Sequence, residues 1–310
     1  MILSWDEWSP LKKIIVGDAT DANWPVLDPV FAKESEKTTW KETPVPRGPV
    51  PQRIIEEANQ DLDDLATTLQ NLGVEVVRPD PMNFQTHDGM YNYCPRDRLL
   101  VYGNTIVDPA MMYPCRDMEL QCYHDVVDSA EYYHFMPRNE GMILDAANVL
   151  RCNDDLFYLV SNTGNKKGAE YLQELVGPDK RVHAIENVYS YIHLDSTIAL
   201  LREGLMLLNP ARIKNVDQLP EVLRNWDIIW AAEPYDIGHY PGYCNASKWV
   251  SVNLLSINPN LVVLEEHQRD LAIELKKHGI DSAMLPMRHA RTLGGCFHCV
   301  TLDLMRYSGV

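Results

Sequence analysis

A period of about fifty residues constrains what this chain can fold into more than any other feature. Short strand starts carry Asp97, Asp145, Asp195, Ser247 and Cys299 at matching positions. Repeats of this size occur in architectures such as propellers, whose units present equivalent positions to a shared axis. The five side chains are therefore expected to converge on one pocket. Three are carboxylates, one is a hydroxyl and one is a thiol, a set suited to a cationic electrophile.

The unit reads as helix, strand, marked residue, hairpin. Residues 99–102 and 105–107 flank Gly103-Asn104, a two-residue turn. Residues 149–151 and 156–160 flank Asn153-Asp154-Asp155, and 198–201 and 205–208 flank Glu203-Gly204. In the fourth unit, 250–255 and 261–264 flank Asn258-Pro259-Asn260. Between hairpins, Ile54, Ala58, Leu62, Leu65, Leu69 and Leu72 recur at helical spacing, and Gly73 stops that helix before a strand at 74–77. Helices are also expected over 166–176 and 266–278, the second with Lys276 and Lys277 in its last turn. Ile14-Ile15-Val16 is a spare strand that completes the last unit with residues 300–304. The expectation is one closed α/β domain spanning residues 1–310, with the proline-rich stretch 44–51 as a loop on its surface.

Lys and Arg total 28 against 44 Asp and Glu, a formal net charge of −16. Nucleic acid and anionic membranes both demand basic patches, so neither is expected as a partner. The acidic balance mildly favours a cationic ligand, although many soluble enzymes are acidic for solubility alone, which is the plainer explanation. Seven cysteines scattered along 310 residues fit free thiols in a reducing compartment better than a disulfide scaffold. Residues 1–8 lack an apolar signal segment and no run approaches eighteen apolar residues, so a cytoplasmic location is expected.

Cys299 lies in Gly294-Gly295-Cys296-Phe297-His298-Cys299. Cys296 and Cys299 have the spacing of a zinc or redox pair, but a structural zinc site wants a second such pair. A buried structural cysteine is the plain alternative. Two glycines before the thiol allow close backbone approach or unusual dihedrals, and the repeat register singles Cys299 out. His298 adjoins it, but neighbours in an extended segment face opposite ways, so the base should be remote. His193-Leu194-Asp195 supplies one, with His193 and Asp195 on one face. Asp145 stands among apolar residues and needs a partner or a cation. Asp97 sits between Arg96 and Arg98, where a local ion pair is the plain alternative. Arg212, closing the third hairpin, could hold a carboxylate or cap a turn.

In order and spacing these segments resemble the amidinotransferases, the guanidino-modifying family that includes glycine amidinotransferase. The resemblance runs nearly end to end. It rests on Trp5-Asp6-Glu7-Trp8-Ser9-Pro10-Leu11 with Ile15-Val16-Gly17, Pro95-Arg96-Asp97, Leu144-Asp145-Ala146-Ala147 and His193-Leu194-Asp195. Leu208-Asn209-Pro210-Ala211-Arg212, Ser247-Lys248-Trp249 and the segment 294–299 complete it. It implies a five-bladed α/β propeller of the pentein kind. It implies Cys299 as nucleophile, His193 as general acid/base, and Asp145 as the carboxylate that binds guanidinium and orients His193. Asp97 and Asp195 would contact guanidino or amino groups, and Arg212 and Ser247 would hold an α-carboxylate. Asn148 stands where glycine amidinotransferase has a second aspartate, and Ala246 where it has a serine. Stretches 111–124 and 233–245 diverge most, which puts glycine as acceptor in doubt.

The activity so implied is transfer of the amidino group of L-arginine to a primary amine through an amidino-cysteine, releasing ornithine. Its partners are small-molecule substrates, with a homo-oligomer left open, and no metal or organic cofactor is called for. The same fold and nucleophile also serve arginine hydrolases and deiminases, in which water replaces the amine. A non-catalytic binding protein of this fold is a further alternative.

Overall fold

The computed structural model describes residues 1–38, 46–186, 188 and 193–307. Five three-stranded sheets share one plan: an antiparallel hairpin, then a third strand parallel to the hairpin's second strand. The first joins Leu100–Tyr102 and Thr105–Asp108 with Tyr132–Phe135. The second joins Val149–Cys152 and Asp155–Leu159 with Arg181–Ile185. Ile198–Arg202, Leu205–Leu208 and Asp227–Trp230 make the third. Leu255–Asn258, Leu261–Glu265 and Asp281–Leu285 make the fourth. In the fifth, Thr301–Arg306 pairs antiparallel with Leu11–Val16, which runs parallel to Glu75–Val77. One end of the chain thus supplies the strand that the other end lacks. This closes the five-bladed α/β propeller.

Parallel strands need a crossover, and helices provide most of them. Gln52–Asn71 buries Ile54, Ala58, Leu62, Leu65 and Leu69, each worth roughly 1.5–3 kcal/mol if large and fully buried. Leu72, expected on that face, is instead an exposed cap residue, and Gly73 adopts the left-handed conformation that ends the helix. Lys166–Val176 and Arg269–Lys277 fill the same role in the second and fourth sheets. In the third, two short 3-10 turns, Val216–Gln218 and Glu221–Leu223, replace the helix. Of the proline-rich stretch 44–51, residues 44 and 45 lie outside the described residues, and Gly48–Pro49 pairs with Asn23–Trp24.

The fourth hairpin starts later than the sequence suggests. Residues 248–251 form a 3-10 turn capped by the Ser247 hydroxyl, and the strand begins at Leu255. Ser247 is therefore not the register counterpart of Asp97, Asp145, Asp195 and Cys299. That place, just before the first strand of the sheet, belongs to Asn253.

A buried ionic cluster joins the N-terminal segment to the blades behind the site. Arg151 is held by both oxygens of Glu7 and by Asp303 and Ser4. Arg96 and Arg306 also pair with Asp303. Burial works against Glu7 ionising, yet the Arg151 charge beside it holds its carboxyl far below the usual range.

Candidate active site

Four of the five sheet-entry positions place a charged or reactive side chain in one buried cluster. His193, ahead of the 3-10 turn Leu194–Ser196, puts Nε2 3.2 Å from Asp145 Oδ2 and Nδ1 3.4 Å from Asp97 Oδ1. The segment turns rather than running as a strand, so His193 and Asp195 serve different neighbours. Asp195 Oδ2 receives the Cys299 thiol at 3.2 Å and lies 2.8 Å from His298 Nδ1. His298 also reaches Glu7 at 3.3 Å. It thus bridges Asp195 and the ionic cluster, and shares Asp195 Oδ2 with Cys299 although the two are sequence neighbours.

Charge balance sets the protonation of this cluster. Burial pulls the His193 imidazole down, but the Asp97 charge, the Asp145 hydrogen bond and the Cys299 contact lift it well above the ordinary 6.5. The Cys299 thiol is pushed well up by the neighbouring Cys94 side chain, by burial and by the Asp195 charge, with the His193 contact opposing. Burial raises Asp97 against the charges of His193 and Arg116. Asp195 is lowered: burial opposes ionisation, and the hydrogen bond and charge of His298 outweigh it.

The nucleophile-bearing turn is built for close approach. Gly294 caps the helix Ala290–Leu293 at a φ of 101°. A Cβ on Gly295 would stand 2.5 Å from Cys299 Cβ and 2.9 Å from Cys94 Sγ. Asn253 Oδ1 accepts the backbone N–H groups of Cys296 and Cys299 at 3.0 and 3.1 Å, and its amide donates to the Asp195 carbonyl at 3.4 Å. One side chain thus ties the thiol's turn to the backbone of the residue whose carboxylate the thiol faces.

Asp97 does not pair with its sequence neighbours. Arg96 turns to Asp303 and Arg98 to Asp108. Asp97 Oδ2 instead receives Arg116 at 2.7 Å, while Oδ1 makes no hydrogen bond. Asp195 Oδ1 is likewise buried without one. Arg212 donates to Ser196 and Thr197 and reaches Ser247 Oγ at 3.3 Å. The two residues expected to hold a carboxylate are therefore adjacent, and Ser196, which Arg212 also holds, follows Asp195 in sequence.

A cleft reaches Asp97, Arg116, Asp145 and His193. Its aromatic lining interlocks: Trp24 stacks on Phe31, and Tyr91 and Tyr113 meet those rings edge-on. The sequence reading missed Arg116, Asn253 and the bond from His298 to Asp195. For Arg116, the signal was Glu119 three residues on, a spacing at which helical side chains meet.

No protein-family profile matches the chain. Individual relatives do. The chain is 38% identical over 334 residues to inosamine-phosphate amidinotransferase 1 of Streptomyces glaucescens, covering 97% of this chain and 95% of that protein. It is 29% identical over 350 residues to L-arginine:L-lysine amidinotransferase of Pseudomonas savastanoi pv. phaseolicola, covering 98% and 94%. Among solved structures, inosamine-phosphate amidinotransferase of Streptomyces griseus superposes with a TM-score of 0.92 at 36% identity, over 100% of this chain and 98% of that one.

Proposed function

The chain belongs to the amidinotransferase family, and from that membership we propose that residues 1–310 act as one domain transferring the amidino group of L-arginine to a primary amine. The observation that carries the reading is a pair of buried carboxylates, Asp97 and Asp195: Asp195 Oδ1 makes no hydrogen bond, and Asp97 Oδ1 meets only His193 Nδ1 at 3.4 Å. They stand around a thiol and a histidine. A planar guanidinium presents five N–H donors in a fixed fork and fits such acceptors.

In the proposed cycle, the arriving cation offsets the Asp195 charge that helps hold the Cys299 proton in place. The proton leaves to solvent, and the thiolate attacks the central guanidino carbon. His193, kept protonated by Asp97 and Asp145, donates a proton to the departing amine nitrogen. Ornithine leaves with the electron pair of the broken C–N bond, and the amidino group stays on Cys299. An acceptor amine then gives a proton to His193 and attacks the same carbon, and the C–S bond breaks to restore the thiolate. Arg212 and Ser247 bind the α-carboxylate that keeps arginine in line.

Incubation with L-arginine and a panel of amines tests this, with ornithine and citrulline quantified by mass spectrometry. Ornithine that rises only with a particular amine, alongside a guanidino product, supports transfer and identifies the acceptor. Citrulline from arginine alone would replace transfer with hydrolysis.

A further inference from the structure

Cys299 and its sequence neighbour His298 meet on one carboxylate oxygen. Residues 297–300 turn instead of running extended, so both side chains reach Asp195 Oδ2, the thiol at 3.2 Å and His298 Nδ1 at 2.8 Å. The far ring nitrogen, Nε2, lies 3.3 Å from Glu7 Oε2. Glu7 is itself held at both oxygens by Arg151. The His298 backbone is pinned as well: its N–H donates to the Asn253 carbonyl at 3.2 Å, and its carbonyl accepts Arg96 Nε at 3.3 Å. The side chain is 9% exposed. Leu150, Ile198 and Leu254 wall a cavity against Glu7, His298 and Asp195, an apolar surround in which charges act strongly on one another.

We propose that His298 is a positioning residue: it takes Oδ2 of Asp195 and leaves Oδ1 as the acceptor for the donor guanidinium. This rests on the guanidino reading of the site. A carboxylate free to rotate would present either oxygen, whereas one pinned at Oδ2 presents only Oδ1. The same contact keeps Asp195 ionised. Burial opposes its charge, and the hydrogen bond and charge of His298 lead the terms that outweigh burial. Without His298, burial favours the neutral carboxyl, which does not attract a cation. Among the described residues, Asp195 meets His298 and Cys299 from the nucleophile's turn and His193 from its own segment. His298 meets Glu7, behind which stand Arg96, Arg151 and Asp303. One imidazole thus connects the N-terminal segment to the carboxylate that faces the thiol.

His298→Gln and His298→Asn test the assignment in the full-length protein. The shorter Asn amide stands near the place of Nδ1 and remains a neutral donor to Asp195. The Gln amide reaches toward Glu7 and leaves Asp195 without that donor. His298→Gln should raise KM for L-arginine at least about tenfold and move the acid limb of the kcat/KM profile to higher pH. Its loss should shrink as the pH rises and Asp195 ionises. His298→Asn should show a KM nearer the wild type's, with the limb still raised because the ring's charge is gone. A folded His298→Gln protein with the wild-type limb, or an equal loss at every pH, would overturn the proposal. Should His298→Gln not fold, His298→Asn decides: a wild-type limb overturns it. NMR titration of the aspartate carboxyl carbons is independent of turnover. The resonance that Asp195→Asn removes should titrate at higher pH in either His298 variant, and an unmoved midpoint is also contradictory. Absence of arginine turnover in the wild type would remove the functional reading and leave this titration to judge His298.

Discussion

The Cys299 sulfur lies 3.2 Å from Asp195 Oδ2, so the proposed nucleophile rests against a carboxylate. The Asp195 charge favours the thiol over the thiolate. A thiol that stays protonated until a cation enters is protected from stray electrophiles. Asp195→Asn removes the opposing charge, and the Cys299 pKa should fall. Alkylation of Cys299 by iodoacetamide at neutral pH should then quicken about threefold for each unit of that fall, the tenfold gain in thiolate being partly offset by its lower nucleophilicity, while arginine turnover drops. Alkylation at the wild-type rate would contradict the role given to Asp195.

His193 gives the site a pH signature. Its folded value is raised above the ordinary 6.5 by Asp97 and Asp145, against burial. Below that pH its ion pairs contribute fully to stability, and the contribution is lost as pH rises through the folded value. Urea midpoints of the wild type should therefore decline relative to His193→Gln from about pH 6.5 upward. Parallel curves for the two proteins would show that His193 is not held charged.

Gly295 leaves no room for a side chain. The Cβ in Gly295→Ala would press on Cys299 Cβ and Cys94 Sγ, and the strain should cost about 1–3 kcal/mol. Activity should fall further than stability, because the displaced atom is the nucleophile's own. Thermal denaturation and kcat measured together check this; an active, equally stable Gly295→Ala enzyme would contradict the close approach.

Asn253 accepts two buried backbone N–H groups in the nucleophile's turn. Asn253→Ala strands both donors, at about 1–3 kcal/mol each. A denaturant midpoint lowered accordingly, with a kcat loss of at least about tenfold, is the expected outcome. A stability loss with kcat intact would make Asn253 a structural residue only.

Much of the fold was legible because its units are local. Hairpins with turns such as Gly103-Asn104 and Glu203-Gly204 announce themselves, and Ile14-Ile15-Val16 had no partner other than residues 300–304. The error at Ser247 has a local cause too: Trp249 and Val250 are apolar and buried, as a strand would be, but they pack from a 3-10 turn. The partners of Asp97 were illegible for the opposite reason. Two arginines adjoin it in sequence, yet both are claimed by distant carboxylates, and its actual partner is Arg116. Long-range pairing inside a closed ring leaves no periodic trace in the chain. The bond of His298 to Asp195 depends on a register between two blades that spacing alone does not reveal.

The most direct test of the account is the intact mass of the protein after incubation with L-arginine and no acceptor. A gain of about 42 Da, one amidino group in place of the thiol hydrogen, is expected. It should map to Cys299, be absent from Cys299→Ser and disappear when a productive amine is added. Ornithine formed with an amine while no adduct ever appears on Cys299 would contradict the covalent route.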